Sequence, residues 1–595
     1  GANSITEVIP EPRAGSNDVL ADNQNFHPST IQGVGKKIVL EESARILAPG
    51  GHVTLSAQAI GNQFQSPLGQ ANDSRIYQAA NSVIDVSGTR DVSESIERYF
   101  KILDLRANEL RDNPLNRDNP VLRGEEVLVD LRNLPDSSFA DLSPFLNLIQ
   151  RTAAEKLAVG GTVKLRSEGD IVLRQDSSIN ISGGVVNIRE GYGGRALLLS
   201  GGAEIDVVKA KGDRVYQALF NDKFITIDPK WGVIQTYSLL SHRPYYKGYV
   251  EGKDAGKLSL LAHAYVLDGD FVAGVTLGEN QRLAAPKRGE LVIGDESQAD
   301  SQRNKQLYLT PNYKTPDVSI RKSIDFLASD FNADTALETG RKTITQLSSD
   351  LLNVSQLGKI AVYSNGKVTV ESDSGLVLPE FGELSLTGNR IEVRDSLSAV
   401  AGKLSLKSQE TSQFSFAQSS IDIAPGAVLT TAGKWVNDNL GRIDLTQALK
   451  SSAGQSVWDG GSVSLEAFDG INLGAASVVD VGGSGYIGPD RKLTLGNAGS
   501  IALSTNRGKG VESPLAALNL QGVLRAQAPG RGGSLSLRVP ALTIGATARG
   551  VNGEFLLAPQ FFSGNDFAKY YLEGRESVMV AAGTTLAPSV ASRKL

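Results

Sequence analysis

Side chains able to do chemistry are few in this sequence, and they are scattered. The four histidines, His27, His52, His242 and His263, show no metal-ligand spacing, and no Ser, His and Asp fall into a nucleophilic grouping. Cysteine is absent, which excludes disulfides, thiolate metal centres and cysteine nucleophiles. Gly483-Ser-Gly-Tyr-Ile-Gly488 has the letters of a phosphate-cradling loop. That chemistry needs a helix N-terminus right after the glycines, and here Pro489-Asp490 and the strand-like Leu493-Thr-Leu495 follow, so a plain turn is expected. Gly482-Gly-Ser-Gly485 and Gly191-Tyr-Gly-Gly194 lack the aspartate and tandem array of glycine-rich calcium repeats. Lys211-Gly-Asp213 has the form of an integrin-binding tripeptide; a charged turn is the simpler account.

Two sets of residues carry more. Asp85, Asn180, Asp206, Asp422 and Asp480 each stand between apolar neighbours. Stacked on one face, such carboxylates could act as the acid and base of a polysaccharide lyase or hydrolase. The reading adopted is solubility and edge protection of a flat sheet. The other set lies in an aromatic stretch, where Trp231, Arg243, Tyr245, Tyr246 and Tyr249 are the candidate ligand-binding residues. Aromatic rings beside a guanidinium can stack on sugars and hydrogen-bond their hydroxyls. Rings that pack an insertion onto its scaffold would look the same, and that account is placed first. No catalytic residue, cofactor site or metal site is assigned, and the chain is expected not to be an enzyme.

The elements that must position these residues follow from a repeated phrase. A glycine precedes alternating apolar residues in Gly51-His-Val-Thr-Leu55, Gly161-Thr-Val-Lys-Leu165, Gly256-Lys-Leu-Ser-Leu260, Gly382-Glu-Leu-Ser-Leu386, Gly402-Lys-Leu-Ser-Leu406, Gly461-Ser-Val-Ser-Leu465, Gly499-Ser-Ile-Ala-Leu503 and Gly533-Ser-Leu-Ser-Leu537. A second phrase accompanies it, as in Val83-Ile-Asp-Val86, Ile179-Asn-Ile181 and Val478-Val-Asp-Val481. Alternation closed by glycine is the signal of a short strand, and reiteration makes a solenoid whose coils pack only on their neighbours. With 63 glycines in 595 residues and 6% aromatics, many tight turns around a narrow aliphatic core are expected. A net charge of −5 gives no pull toward nucleic acid, and no apolar run approaches the ~18 residues that span a bilayer, so neither nucleic-acid binding nor membrane insertion is expected.

The expected fold is therefore all-β: a right-handed parallel β-helix with a helical insertion and one or two irregular insertions. Coils are assigned to 1–90, 159–207, 251–278 and 346–595, the last truncated at its C-terminus. Residues 91–158 read as a helical insertion. Asp91-Val-Ser-Glu94 has capping-box spacing, and Ile96, Phe100, Leu103, Ala107 and Leu110 fall on one helical face. A second helix is expected from Ser143 and Pro144 to Gly160. Residues 208–250 form the aromatic-rich insertion, and 279–345 a polar loop with a short helix near Ile324–Ala333. Coils of roughly 20–25 residues would give a shaft on the order of 80–100 Å.

Three stretches resemble a known group. Gly248-Tyr-Val-Glu-Gly-Lys-Asp-Ala-Gly-Lys-Leu-Ser-Leu260 with Leu267-Asp-Gly269, Asp141-Leu-Ser-Pro-Phe-Leu146 with 160–184, and Phe561-Phe-Ser-Gly564 through Gly583-Thr-Thr-Leu-Ala-Pro588 are similar to filamentous haemagglutinin-like exoproteins, the secreted partners of two-partner secretion systems. The resemblance implies an internal fragment of a large adhesin, secreted to the surface of a Gram-negative bacterium. It implies an outer-membrane two-partner secretion transporter as partner, engaged through an N-terminal domain missing here. It also implies work in attachment, biofilm, virulence or host interaction, with carbohydrate or a host surface protein as ligand. Two alternatives stay open: a β-helix polysaccharide-degrading enzyme, and a receptor- or host-protein-capture module acting through 208–250.

Overall fold

The computed structural model describes residues 1–8, 26–59, 72–104, 114–132, 149, 151–221, 223–228, 230–238, 244–281, 284–294, 316–364, 366–409, 419–437, 439, 457–488, 491–505, 516–564 and 567–588. The chain is mostly strand, and most of its strands pair in parallel. The glycine phrase forms one long parallel ladder running from Thr30–Gly35 through His52–Ala57, Thr162–Ser167 and Lys257–Leu261 to Ser534–Ile544 and Lys569–Val580. After most of its strands the chain enters a second row of parallel strands, for example Arg75–Gln78, Asp170–Leu173 and Ala264–Leu267. In many coils it then enters a third, for example Val83–Asp85, Ser178–Asn180 and Asp270–Val272, before returning to the first; the second and third rows each fall into two sheets.

Register explains the spelling of the phrase. The first apolar letter stacks as Val53, Val163, Leu258 and Leu291, and the second as Leu55, Leu165, Leu260 and Ile293. Both columns are buried in one continuous aliphatic core. Each such side chain contributes roughly 1.5–3 kcal/mol on burial.

The glycines also stack. Register puts Gly51, Gly161, Gly256, Gly289, Gly358, Gly382, Gly402, Gly461, Gly499 and Gly533 at one corner, each just before its strand. A Cβ on Gly161 would lie 1.9 Å from the carbonyl oxygen of Gly51, and one on Gly499 1.6 Å from that of Gly461. Glycine is required there because backbones of successive coils touch. A second corner needs left-handed backbone instead: Ser43, Asn81, Asp176, Gly426 and Ala476 all have φ between 59° and 75°.

The structure corrects several expectations. No helix spans 91–104. Val92–Ser95 is a strand parallel to Val185–Arg189, Ile96–Tyr99 is a 3₁₀ turn, and Phe100–Asp104 pairs antiparallel with Glu126–Asp130. Ser95, not Asp91, caps the turn, its Oγ accepting from the Glu97 N–H at 3.2 Å. The spacing of Ile96, Phe100 and Leu103 is met by that turn and the strand after it, and strand pairing overrides helical periodicity; Ala107 and Leu110 lie outside the described residues. Of the second expected helix only the turn Ala153–Lys156 is seen, capped by Thr152; Ser143 and Pro144 lie outside the described residues. Gly160 does not end a helix but fills a corner where its Cβ would meet the Gly256 nitrogen at 2.5 Å.

Residues 197–206, expected in the coils, belong instead to a five-stranded antiparallel sheet with Ala218–Phe220, Lys223–Ile227 and Ile234–Ser238. That sheet shares a core with the first interruption: Leu122, Val127, Val129 and Leu131 pack with Leu198, Tyr216, Leu219 and Ile225. The two interruptions thus build one lobe.

The segment Ile324–Ala333 is not helical. It crosses the outer face of the second ladder, where Phe331 stacks on Tyr77 and lies under the guanidiniums of Arg75 and Arg174. Among the described residues the first ladder has thirteen strands, twelve of them in succession from Thr30–Gly35 to Lys569–Val580, with Glu554–Leu557 also pairing Ser534–Ile544. Eleven steps of ~4.8 Å give roughly 50 Å, not 80–100 Å. Insertions, rather than extra coils, account for the difference.

Candidate functional site

The aromatic stretch does not form one surface. Tyr249–Gly252 runs antiparallel to Val185–Arg189, and Tyr245–Tyr246 to Gly191–Tyr192, so alternate rings face opposite ways. Tyr246 turns inward against Phe100, ring centroids 4.9 Å apart. Arg132 lies over the rings of Tyr99, Phe100 and Tyr246 at 5.6, 5.3 and 5.2 Å. It also grips the buried Asp130 carboxylate with two bonds of 2.9 and 2.6 Å. Burial alone would lower the affinity of Arg132 for its proton; the Asp130 and Tyr249 contacts more than reverse this, so its pKa is raised. Burial raises the Tyr99, Tyr246 and Tyr249 phenols, which stay protonated at neutral pH. Tyr246 and Tyr249 therefore belong to the joint between lobe and ladders. The expectation that such rings pack the insertion onto its scaffold describes these two.

Tyr245 is different: it is exposed and meets Tyr192 edge to face at 5.6 Å. Trp231 sits elsewhere, on the hairpin between Lys223–Ile227 and Ile234–Ser238. The Asp228 carboxylate accepts the Trp231 backbone N–H at 3.1 Å, and Trp231 is 70% exposed with Lys230 over its ring at 4.9 Å. Ile234–Ser238 is the edge strand of the lobe sheet, and Val233, Ile234 and Tyr237 are exposed along it. Arg243 and His242 lie outside the described residues. Sequence reasoning missed Tyr99, Phe100, Arg132 and Tyr192, which come from distant segments; Phe100 and Tyr246 lie in separate two-stranded sheets and meet by ring packing, with Arg132 over the Tyr246 ring.

The recurring acids separate as well. The Asp85 carboxylate accepts the Ser87 N–H at 2.8 Å, the Asn180 side chain that of Ser182 at 3.0 Å, and Asp480 that of Gly482 at 2.8 Å. Each closes a turn at the end of the third ladder. Asp206 pairs with Arg195 in the lobe. Asp422 neighbours Glu392 on the second ladder, and Arg390 bridges the two at 2.9 and 3.2 Å. A guanidinium thus engages each of these three carboxylates.

Gly485, within the phosphate-loop look-alike, lies against the Trp435 ring, and antiparallel strands rather than a helix follow. Tyr216 pins the Lys211-Gly-Asp213 turn, its hydroxyl accepting from the Lys211 N–H at 2.8 Å. No cluster of metal-ligating side chains occurs among the described residues, and no helix among them is long and apolar enough to cross a membrane. In comparisons with known proteins, no family model, curated protein or solved structure matches the chain.

Proposed function

We propose that this chain is a shaft segment of a secreted bacterial surface adhesin, a right-handed parallel β-helix whose job is to hold binding surfaces away from the cell. The observation that carries the reading is the first ladder, with its in-register strands and glycine corner from Gly51 to Gly533. Such stacking yields length and stiffness from local pairing alone. The resemblance of 248–269 and 561–588 to filamentous haemagglutinin-like exoproteins supplies the secreted, adhesive context. Antibodies to the purified chain should label intact cells or the culture medium of the source bacterium, and the purified chain should coat host cells or biofilm matrix. Labelling confined to the cytosol would refute the proposal.

One observation favours a second reading, capture of a host protein through the lobe. The edge strand Ile234–Ser238 presents exposed Val233, Ile234 and Tyr237 beside Trp231. An open edge with apolar side chains can accept an added strand. Replacing 230–237 by a short polar turn should then abolish partner pull-down while leaving the β spectrum intact.

A further inference from the structure

One column of the corner breaks its own rule. The residue before each corner glycine is small in most coils: Gly50, Gly160, Ala255, Ala401, Gly460, Ala498 and Gly532. Three successive coils depart from this, with Arg288, Leu357 and Phe381. Leu357 is buried, but Arg288 and Phe381 line an open cleft of about 420 Å³ together with Leu277, Pro286, Lys359 and Glu380. Phe381 occupies the position with φ 59°, left-handed backbone that Gly50 and Ala401 adopt at the same corner. A bulky residue there costs about 1–2 kcal/mol, and such outliers concentrate where a side chain has been placed for use.

The charges of the cleft are unequally satisfied. Glu290 is held by Lys257 at 3.3 Å and by Lys359 at 2.9 Å, and Glu380 by Lys434 at 3.4 Å. Arg288 donates to the neutral side-chain oxygen of Gln356 at 2.8 Å, and no described carboxylate lies within ion-pairing distance of it. Burial works against its charge, with Glu380 only partly offsetting this. A half-buried guanidinium keeps a planar fork that matches a carboxylate. Beside Glu380 along the ion pair comes Lys434, and the next residue is Trp435, 54% exposed and lying on the backbone of Gly485.

We infer that this corner cleft is a binding site for a carboxylate-bearing sugar, with Phe381 as the platform for the ring and Arg288 as the partner of the carboxylate. The unequal pairing supplies the discrimination: the acids are neutralised by lysines, whereas among the described residues the guanidinium is bonded to an amide. The proposal goes beyond the shaft reading and stands without it.

Titration calorimetry with tri-galacturonate against the neutral galactotriose tests it on the full chain. The acidic trimer should bind at least about tenfold more tightly, the fold-change of one charge-assisted hydrogen bond. Arg288→Met should abolish the preference, and Arg288→Lys should restore only part of it. Phe381→Gly should weaken binding of both sugars about tenfold or more without lowering the melting temperature, since glycine suits that backbone. Equal binding of the two trimers, no binding by the unaltered chain at millimolar sugar, or unchanged binding by both Arg288→Met and Phe381→Gly would overturn the assignment.

Discussion

Alanine at Gly161 tests whether close backbone approach shapes the corner. The new methyl would sit 1.9 Å from the Gly51 carbonyl oxygen, 2.9 Å from its carbonyl carbon and 2.9 Å from its nitrogen. These atoms are backbone and cannot rotate away. Relief requires the two coils to part by more than about 1 Å against a spacing of ~4.8 Å. That would stretch the bond from the Thr162 N–H to the Gly51 carbonyl, now 2.9 Å, and the bond from the Lys257 N–H to the Gly161 carbonyl, now 3.1 Å. Overpacking costs up to about 3 kcal/mol and each weakened bond about 1 kcal/mol, so about 3–5 kcal/mol is expected.

Gly201→Ala is the matched control. Gly201 has φ 60° with nothing within 4 Å of an added methyl, so only left-handed strain of about 1–2 kcal/mol applies. The entropy change in the unfolded chain is common to both and cancels. Because coils unfold locally, hydrogen exchange followed by mass spectrometry on peptides covering 52–57 and 162–167 is the suitable assay. Gly161→Ala should speed exchange there on the order of a hundredfold or more, with Gly201→Ala changing only lobe peptides, by about tenfold. Equal, small effects from both variants would refute close approach as the reason for glycine.

Further outcomes follow from other contacts. Burial pushes the His263 imidazole down to about 4 from 6.5, with Glu168 opposing. Between those values the unfolded chain binds more protons, so stability is full above pH 6.5 and falls as pH drops toward 4, by about 2 kcal/mol given partial solvent access. Chemical denaturation across that window should show the loss, and His263→Asn should remove it. Arg132→Met would take the guanidinium from the buried Asp130 carboxylate at a cost of about 3 kcal/mol; limited proteolysis should cut the lobe while the ladder peptides stay protected. Asn81 has φ 59° at the second corner, so Asn81→Val should cost about 2 kcal/mol and Asn81→Gly little, read as melting temperature.

Legibility differed by region for physical reasons. Glycine followed by two alternating aliphatic residues is a local signal, and the structure turns each occurrence into a ladder strand. Its reason was less visible: Gly161 and Gly499 serve backbone contact with a coil distant in sequence, rather than turn geometry. The region 91–104 misled because Ile96 and Phe100 satisfy a helical period while the strand partners of this region, Val186 for Val92 and Asp130 for Phe100, lie tens of residues away. The aromatic stretch was visible by composition, but its division into a buried joint and exposed rings depends on the strand parity of Tyr245 and Tyr246. The corner cleft was not legible at all. Arg288, Leu357 and Phe381 are unremarkable apart; only the register aligns them in a column otherwise held by Gly and Ala.

The parallel, in-register stack is the centre of the account, and the lack of native cysteine allows a direct test by cross-linking. Lys164 and Ser259 are register partners on the outer face of the first ladder, separated in sequence by the five-stranded antiparallel sheet. Neighbouring parallel strands are ~4.8 Å apart, within reach of a disulfide. The double variant Lys164→Cys, Ser259→Cys should form an intramolecular disulfide under mild oxidation, whereas Lys164→Cys, Leu258→Cys should not, because Leu258 faces the core. Equal cross-linking of both pairs, or none of the first, would contradict the stack.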